Sequence, residues 1–159
     1  MVCSALFIWK SLGLVSGSES PIVVVLSGSM EPAYYRGDLL FLTRYNTRIE
    51  KGEVVVYSMP MKQIPIVHRV LNAHQKKEDT YNSYTLLTKG DANSKDDRWG
   101  IYDRNVMWLE EKNIIGRARA FLPYIGILTI MLNDYPMLKW AMIGGLLLTV
   151  LLTRGDDKS

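Results

Sequence analysis

Segment 21–32 constrains the fold of this chain more than any other stretch. After Pro21 comes an unbroken aliphatic run, Ile-Val-Val-Val-Leu, which predicts a strand buried on both faces. The run stops at Ser27-Gly28-Ser29, where the glycine allows a sharp turn. The sequence therefore predicts a small hydroxyl group at the end of a rigid strand. Such a group belongs either to an ordinary turn or to a nucleophile, and a nucleophile needs a base within reach.

Five later segments show the alternation of apolar and polar residues, or the content of β-branched residues, that is typical of strands. Pro65 has no N–H to donate, so it is expected at a strand start or a sheet edge. Gly116 marks a possible bulge. Segment 73–82 is polar and predicts a surface hairpin loop. Together these features predict a mainly β domain of six or seven strands, with strands at 38–42, 53–57, 64–71, 84–88 and 114–121.

An apolar segment lies at each end of the chain. Segment 2–15 is shorter than the roughly twenty residues that span a bilayer, and it resembles the second half of a membrane helix. Segment 137–153 is at the lower limit for a span. Either segment could instead be a buried core helix. The predicted organisation is a partial transmembrane helix at 1–16, a β domain at 17–126, an apolar membrane-associated segment at 127–153 and a polar tail at 154–159.

The composition argues against several classes of function. A net charge of +3, without a basic stripe, argues against nucleic acid as a partner. A single cysteine excludes an intramolecular disulfide and a cysteine-based metal site. The acidic loop at 89–98 does not fit the spacing of a calcium loop, and the two histidines form no metal motif. We therefore expect no metal and no cofactor.

Three features could together form a hydrolase site. Ser29 follows the first strand, and His68 lies on an apolar strand between Ile66 and Val70. Asp91 and Asp97 follow the strand that ends at residue 88. A lone histidine of this kind is commonly a core residue, but a serine, a histidine and a carboxylate in any chain order can form a triad.

Four motifs in order resemble those of type I signal peptidases, in particular the endoplasmic-reticulum branch of the family. They are Ser-Gly-Ser-Met-Glu-Pro at 27–32, Arg-Gly-Asp-Leu-Leu-Phe-Leu at 36–42, Ile-Pro-Ile-Val-His-Arg-Val at 64–70, and Thr-Lys-Gly-Asp-Ala-Asn at 88–93 followed by Asp96-Asp97. Bacterial members have a lysine as general base, whereas the endoplasmic-reticulum branch has a histidine, as this chain does. Ala92 departs from the asparagine that is frequent in the family, and we expect little consequence.

The resemblance implies a role for each residue of the site. Ser29 is then the nucleophile, His68 the general base and Asp97 the carboxylate that orients it, with Asp91 as the rival. The Ser29 N–H and the Ser27 hydroxyl group occupy the family's oxyanion-hole position. Because the first strand leads into the nucleophile, we also expect an extended substrate to pair beside it, with substrate contacts from Ile22, Val24, Leu26 and Met30.

The resemblance further implies a membrane-bound serine endopeptidase that removes signal peptides in the endoplasmic reticulum. Its expected partners are signal peptides, other subunits of the signal peptidase complex and membrane lipid. The expected topology is single-pass type II, with a lumenal catalytic domain. Because the chain begins inside the expected first helix, its insertion and activity stay open. The alternatives are a catalytically silent or truncated copy that only binds, and a soluble β-domain binding protein.

Overall fold

The computed structural model describes residues 2–44, 48–62, 64–75 and 84–156. In these residues seven strands form one antiparallel sheet, in the order β1-β2-β7-β3-β4-β5-β6. The prediction of a mainly β domain is confirmed. The strands are β1 (Ile22–Val24), β2 (Leu39–Thr43), β3 (Val54–Tyr57), β4 (Ile66–Gln75), β5 (Tyr84–Lys89), β6 (Leu109–Glu110) and β7 (Ile114–Leu122).

The first strand differs from its sequence-based prediction. β1 is only three residues long, and each of them is half-buried rather than buried on both faces. The reason is that β1 lies at the edge of the sheet and pairs with β2 on one side, so its other side has no neighbouring strand among the described residues to cover it. A continuous aliphatic run therefore does not distinguish a central strand from an edge strand that faces a cleft.

Pro65 directly precedes β4, as expected for a residue that cannot donate to a strand ladder. β4 continues to Gln75, further than predicted, and takes in the first three residues of the predicted hairpin loop. Residues 76–82 of that loop lie outside the described residues. The β3/β7 register shifts opposite Gly116 and Ile114, which matches the bulge expected at this glycine.

The chain of antiparallel pairings makes β1 and β4 run in the same direction. The buried hydrophobic residues form two clusters. One cluster packs around β3, β4 and β5, and a smaller one packs beneath β1 and β2. Tyr57, Leu40 and Val55 are completely buried in these clusters.

Three helices accompany the sheet: α1 (Val2–Ser16), α2 (Ile127–Asp134) and α3 (Pro136–Asp156). Within the described ranges one helix is long and apolar enough to cross a membrane, at Pro136–Thr153 of α3, with a mean hydropathy of 1.6 and none of it buried. The apolar part of α1 is shorter, at Leu6–Ser16, so the partial transmembrane helix predicted at 1–16 is not confirmed as a membrane segment. Exposed side chains on both helices, such as Phe7 and Leu146, contradict the alternative of buried core helices.

Candidate active site

Ser29 lies in the tight turn that follows β1. Val25 anchors the start of this turn, because its N–H donates to the Asp38 carbonyl and its own carbonyl accepts from the Gly37 N–H. Met30, directly after the serine, is completely buried and fixes the turn to the core. The Ser29 hydroxyl oxygen is 3.2 Å from the Ser27 hydroxyl oxygen. The predicted hydroxyl at a rigid strand end is therefore present.

His68 is held inside the sheet by β4. It is opposite Val55 in the β3 register and is only 2% exposed. Its Nε2 atom is 3.1 Å from the Ser29 Oγ atom, and its Nδ1 atom is 2.6 Å from the Asp97 Oδ2 atom. The ring therefore bridges a serine from one strand end to a carboxylate from another part of the chain.

Asp97 begins a short 3₁₀-helix, Asp97–Trp99, and is fully buried. Its carbonyl oxygen accepts hydrogen bonds from the N–H groups of Ile101 and Tyr102, which fixes its backbone. Its carboxylate accepts hydrogen bonds from the hydroxyl groups of Tyr57 and Thr88 as well as facing His68. All of these partners lie at Oδ2, where they offset the cost of removing that oxygen from water.

Asp91 lies elsewhere and contacts a different residue. Its carboxylate accepts two hydrogen bonds from the Arg69 Nε atom, at 2.9 and 3.2 Å, and one from Nη2 at 2.6 Å. This pairing raises the pKa of Arg69, chiefly through the side-chain hydrogen bonds. Because neighbours on a strand point to opposite faces, the partner of Arg69 is on the other side of β4 from the His68 ring. The structure therefore brings Asp97, not Asp91, to His68.

The turn at residues 90–93 packs against the backbone of the serine. The Ala92 N–H donates to the Ser29 carbonyl at 3.0 Å, and the Asn93 N–H donates to the Gly90 carbonyl. A Cβ atom on Gly90 would lie 2.6 Å from the Ser29 carbonyl oxygen and 2.8 Å from His68 Nε2. The absence of a side chain at Gly90 thus allows the turn to approach both groups. Sequence reasoning missed this contact, although a glycine directly after a strand indicates a turn.

A largely apolar cleft of about 840 Å³ opens beside Ser29 and His68. Of the predicted substrate contacts, Val24, Leu26 and Met30 line it, whereas Ile22 is not among its lining residues. The opposite wall comes from the start of β4 and the residues before it. Sequence reasoning did not assign these residues to substrate binding, although the two-residue period of a strand puts Ile64 and Ile66 on the same face as His68. The other lining residues are Val23, Val25, Ser27, Val56, Lys62, Ile64, Pro65, Ile66, Val67, Asn93 and Ile101.

Two buried tyrosines surround the carboxylate end of this site. Burial, followed by the nearby Asp97 charge, raises the pKa of Tyr57 far above its ordinary value. Burial likewise raises the pKa of Tyr102 to about 12. Both phenols therefore stay protonated at neutral pH and can donate hydrogen bonds. Among the residues that the structure describes, no group of three or more metal-ligating side chains occurs.

A serine hydroxyl within hydrogen-bond reach of an imidazole, which in turn faces a buried carboxylate, is the arrangement that serine hydrolases require. Together with the antiparallel sheet and an exposed apolar helix long enough to cross a membrane, it places this chain in the class of hydrolase-like β proteins.

Comparison with known proteins narrows that class. Residues 127–152 match the family model "Signal peptidase C-terminal short helix". The chain is 54% identical to the signal peptidase complex catalytic subunit SEC11C of Homo sapiens, over 97% of this chain and 79% of that protein. It is 49% identical to SEC11 of Schizophyllum commune, over 97% and 86%, and 49% identical to SEC11 of Plasmodium falciparum, over 96% and 80%. The chain belongs to the family of signal peptidase complex catalytic subunits.

Proposed function

We propose that this chain is a serine endopeptidase that removes signal peptides from nascent secretory and membrane proteins. The observation that carries the proposal is the continuous contact from Ser29 Oγ through the His68 ring to Asp97 Oδ2, with distances of 3.1 and 2.6 Å. The names of the relatives, which describe catalytic subunits of a signal peptidase complex, support the same activity.

In the proposed reaction, His68 Nε2 accepts the Ser29 hydroxyl proton while Oγ attacks the scissile carbonyl carbon. His68 then donates that proton to the leaving amine, which departs with the mature chain and leaves an acyl-enzyme ester on Ser29. Water, deprotonated by His68, hydrolyses the ester and releases the signal peptide. Asp97 keeps the imidazole in the tautomer with a proton on Nδ1 and stabilises the imidazolium between these steps.

The tetrahedral intermediates carry a negative oxygen that needs hydrogen-bond donors. We assign this role to the Ser29 N–H and the Ser27 hydroxyl group, whose oxygen lies 3.2 Å from Ser29 Oγ. Loss of one such donor commonly costs about 3 to 4 kcal/mol of transition-state stabilisation. Neither group needs to move far, because the turn is anchored at Val25 and Met30.

The substrate is proposed to bind as an extended strand in the cleft between β1 and the start of β4. β1 is an edge strand of the sheet, so it has main-chain groups that can pair with a peptide. Val24 and Ile66 contribute branched, apolar side chains to the cleft walls, and we expect the pockets between them to be shallow. Such walls favour small residues at the first and third positions before the cut, which is the Ala-x-Ala-like pattern of cleaved signal peptides.

For the whole chain, we propose a lumenal catalytic domain at residues 17–126 of a single-pass type II protein of the endoplasmic-reticulum membrane. Residues 1–16 belong to its N-terminal membrane helix, and residues 127–153 associate with the bilayer. Exposed apolar side chains on α1 and α3 support contact with lipid. The name of the relatives supports further complex subunits as partners. If alkaline carbonate extracts the protein from membranes, this arrangement is wrong.

The proposal is tested by reconstituting the chain with its complex subunits in lipid vesicles and following cleavage of a secretory precursor. The wild type is expected to cut at a defined site, and Ser29→Ala is expected to be inactive. Ser18→Ala removes a buried hydroxyl group that bonds to the Ile115 carbonyl, away from the cleft, and serves as the control. A wild-type complex without cleavage would instead favour a catalytically silent copy.

A further inference from the structure

The Asp97 carboxylate is bonded in a markedly uneven way. One oxygen, Oδ2, lies 2.6 Å from His68 Nδ1, 2.9 Å from the Tyr57 hydroxyl and 2.5 Å from the Thr88 hydroxyl. The other oxygen, Oδ1, is buried and has no hydrogen-bond partner among the described residues. An ionised carboxylate accepts through both oxygens, so some constraint must hold all these donors on one of them.

Thr88 links Asp97 to Tyr102 through hydrogen bonds, and these contacts determine which hydroxyl group donates in each bond. Because Asp97 can only accept, the single Thr88 hydroxyl hydrogen points to Oδ2. The Tyr102 hydroxyl, 2.9 Å away, must then donate to Thr88 Oγ1, while its oxygen accepts from the Thr88 N–H at 3.0 Å. Thr88 is thus fixed by the backbone of β5 and by the loop that carries Asp97.

Tyr57 approaches the same oxygen from β3. It is completely buried, and its ring packs edge-on against the His68 ring on one side and the Tyr102 ring on the other. Its hydroxyl group, protonated throughout the working pH range, donates to Asp97 Oδ2. The position of the donor is therefore set by core packing rather than by a flexible side chain.

We propose that Tyr57 is a positioning residue for the peptidase reaction, and that its hydroxyl group holds the Asp97 carboxylate with Oδ2 facing the His68 ring. The proposal rests on the function proposed above. The last torsion of an aspartate side chain is soft, so the carboxylate needs fixed donors to keep one orientation. Donors from two strands, Tyr57 on β3 and Thr88 on β5, supply that restraint.

The same hydrogen bond also limits how much negative charge acts on the imidazole. The groups that face the carboxylate are Tyr57, His68, Thr88 and Tyr102, and the neighbouring Asp96 is paired with Arg98. Without the Tyr57 donor, more of the charge on Oδ2 is available to His68, so the imidazolium is stabilised. Activity then requires a higher pH, because His68 must be neutral to accept the Ser29 proton.

The kinetic test compares Tyr57→Phe, which keeps the packed ring, with Tyr84→Phe, which removes a hydroxyl group from the first residue of β5. In the reconstituted complex we expect Tyr57→Phe to lower kcat by about ten- to 150-fold at unchanged KM, since a hydrogen bond to a charged group is lost. The acid limb of its pH profile moves to higher pH, while Tyr84→Phe retains the wild-type profile. A Tyr57→Phe profile that coincides with the wild type overturns the proposal.

A double-mutant comparison separates positioning from a general structural role. In an Asp97→Asn background, Tyr57→Phe should have little further effect on kcat, because the tyrosine acts through the carboxylate. An equal loss in both backgrounds would mean that the hydroxyl group only supports the core, and would overturn the proposal.

A spectroscopic measurement on the full chain in lipid nanodiscs does not depend on peptidase activity. The chain has two histidines, so His74→Gln identifies the Nδ1 proton resonance of His68. This resonance should shift in Tyr57→Phe and stay in place in Tyr84→Phe. If it shifts while the wild-type complex cleaves no precursor, the proposed function fails but the positioning of Asp97 by Tyr57 holds. An unshifted resonance overturns the positioning itself.

Discussion

At the scale of single residues, the proposed reaction depends on the two ring nitrogens of His68, each of which contacts a different residue. Nε2 faces Ser29 and Nδ1 faces Asp97 in a buried setting. An imidazole can serve both contacts at once, whereas an amine has a single nitrogen.

We therefore predict that His68→Lys is inactive, although bacterial signal peptidases use a lysine base. An ammonium beside the buried Asp97 carboxylate would keep its proton and could not deprotonate Ser29. Loss of the general base should lower turnover by about 10²- to 10⁴-fold in the reconstituted complex. Cleavage at the wild-type rate would refute the Ser-His assignment.

The two aspartates should differ sharply in their effect. Asp97→Asn replaces the carboxylate that accepts from the His68 Nδ1–H group with an amide, which can favour the wrong tautomer of the ring. The same change in a comparable triad lowers kcat by about 10⁴-fold, and we expect a loss of that order here. Asp91→Asn weakens a half-exposed pair with Arg69 and should lower kcat by less than about tenfold. Steady-state turnover of both variants decides the matter. The reverse order of effects would make Asp91 the orienting acid.

At the scale of the elements, the turn at residues 90–93 couples the loop that carries Asp91 and Asp97 to the nucleophile. Ala92 holds the Ser29 carbonyl, and Gly90 allows the close approach. The Arg69–Asp91 pair fixes the start of this loop to β4. The placement of Ser29 thus depends on β4 and β5 as much as on β1.

Gly90→Ala should consequently displace the nucleophile without unfolding the chain. The added methyl group would lie 2.6 Å from the Ser29 carbonyl oxygen, so the turn or the serine must shift. A misplacement of about 1 Å can cost roughly 100-fold in rate, which is the loss we expect in kcat. Gly144→Ala, where no atom lies within 4 Å of the new methyl group, is the matched control and should be fully active. Equal activity of both variants would contradict the coupling.

The sequence predicted six of the seven described strands, the turn at Ser29 and the apolar surroundings of His68, because each leaves a local pattern, whereas the two-residue β6 leaves none. It could not decide between Asp91 and Asp97, since both follow β5 and the choice depends on which face of β4 each one meets. The contact of Tyr57 with Asp97 could not be predicted from the sequence either. It depends on the register in which Val55 is opposite His68, a tertiary feature without a local signal.

At the scale of the whole molecule, the apolar span of α3 is short. Its apolar residues run from 137 to 153, interrupted by Lys139 and followed directly by Arg154, which is near the lower limit for crossing a bilayer. If this segment is short in the membrane, it should favour substrates whose own apolar segment is short, because mismatch costs fractions of a kcal/mol per Å.

We predict that cleavage of a reporter falls as its apolar segment is lengthened stepwise from about ten to about twenty leucines. The cut site and flanking residues are kept constant, and cleavage is measured in reconstituted vesicles. A constant rate across the series would mean that α3 does not select substrates and that the cleft beside Ser29 alone determines specificity.

The most direct test of the account is to identify the atom that carries the acyl group during turnover. The complex is mixed with a secretory precursor, quenched with acid within one turnover, and mapped by mass spectrometry. We expect the signal peptide to be esterified through its new carboxyl end to Ser29, and Ser29→Ala to show neither adduct nor cleavage. An adduct on another residue, or cleavage that persists in Ser29→Ala, would contradict it.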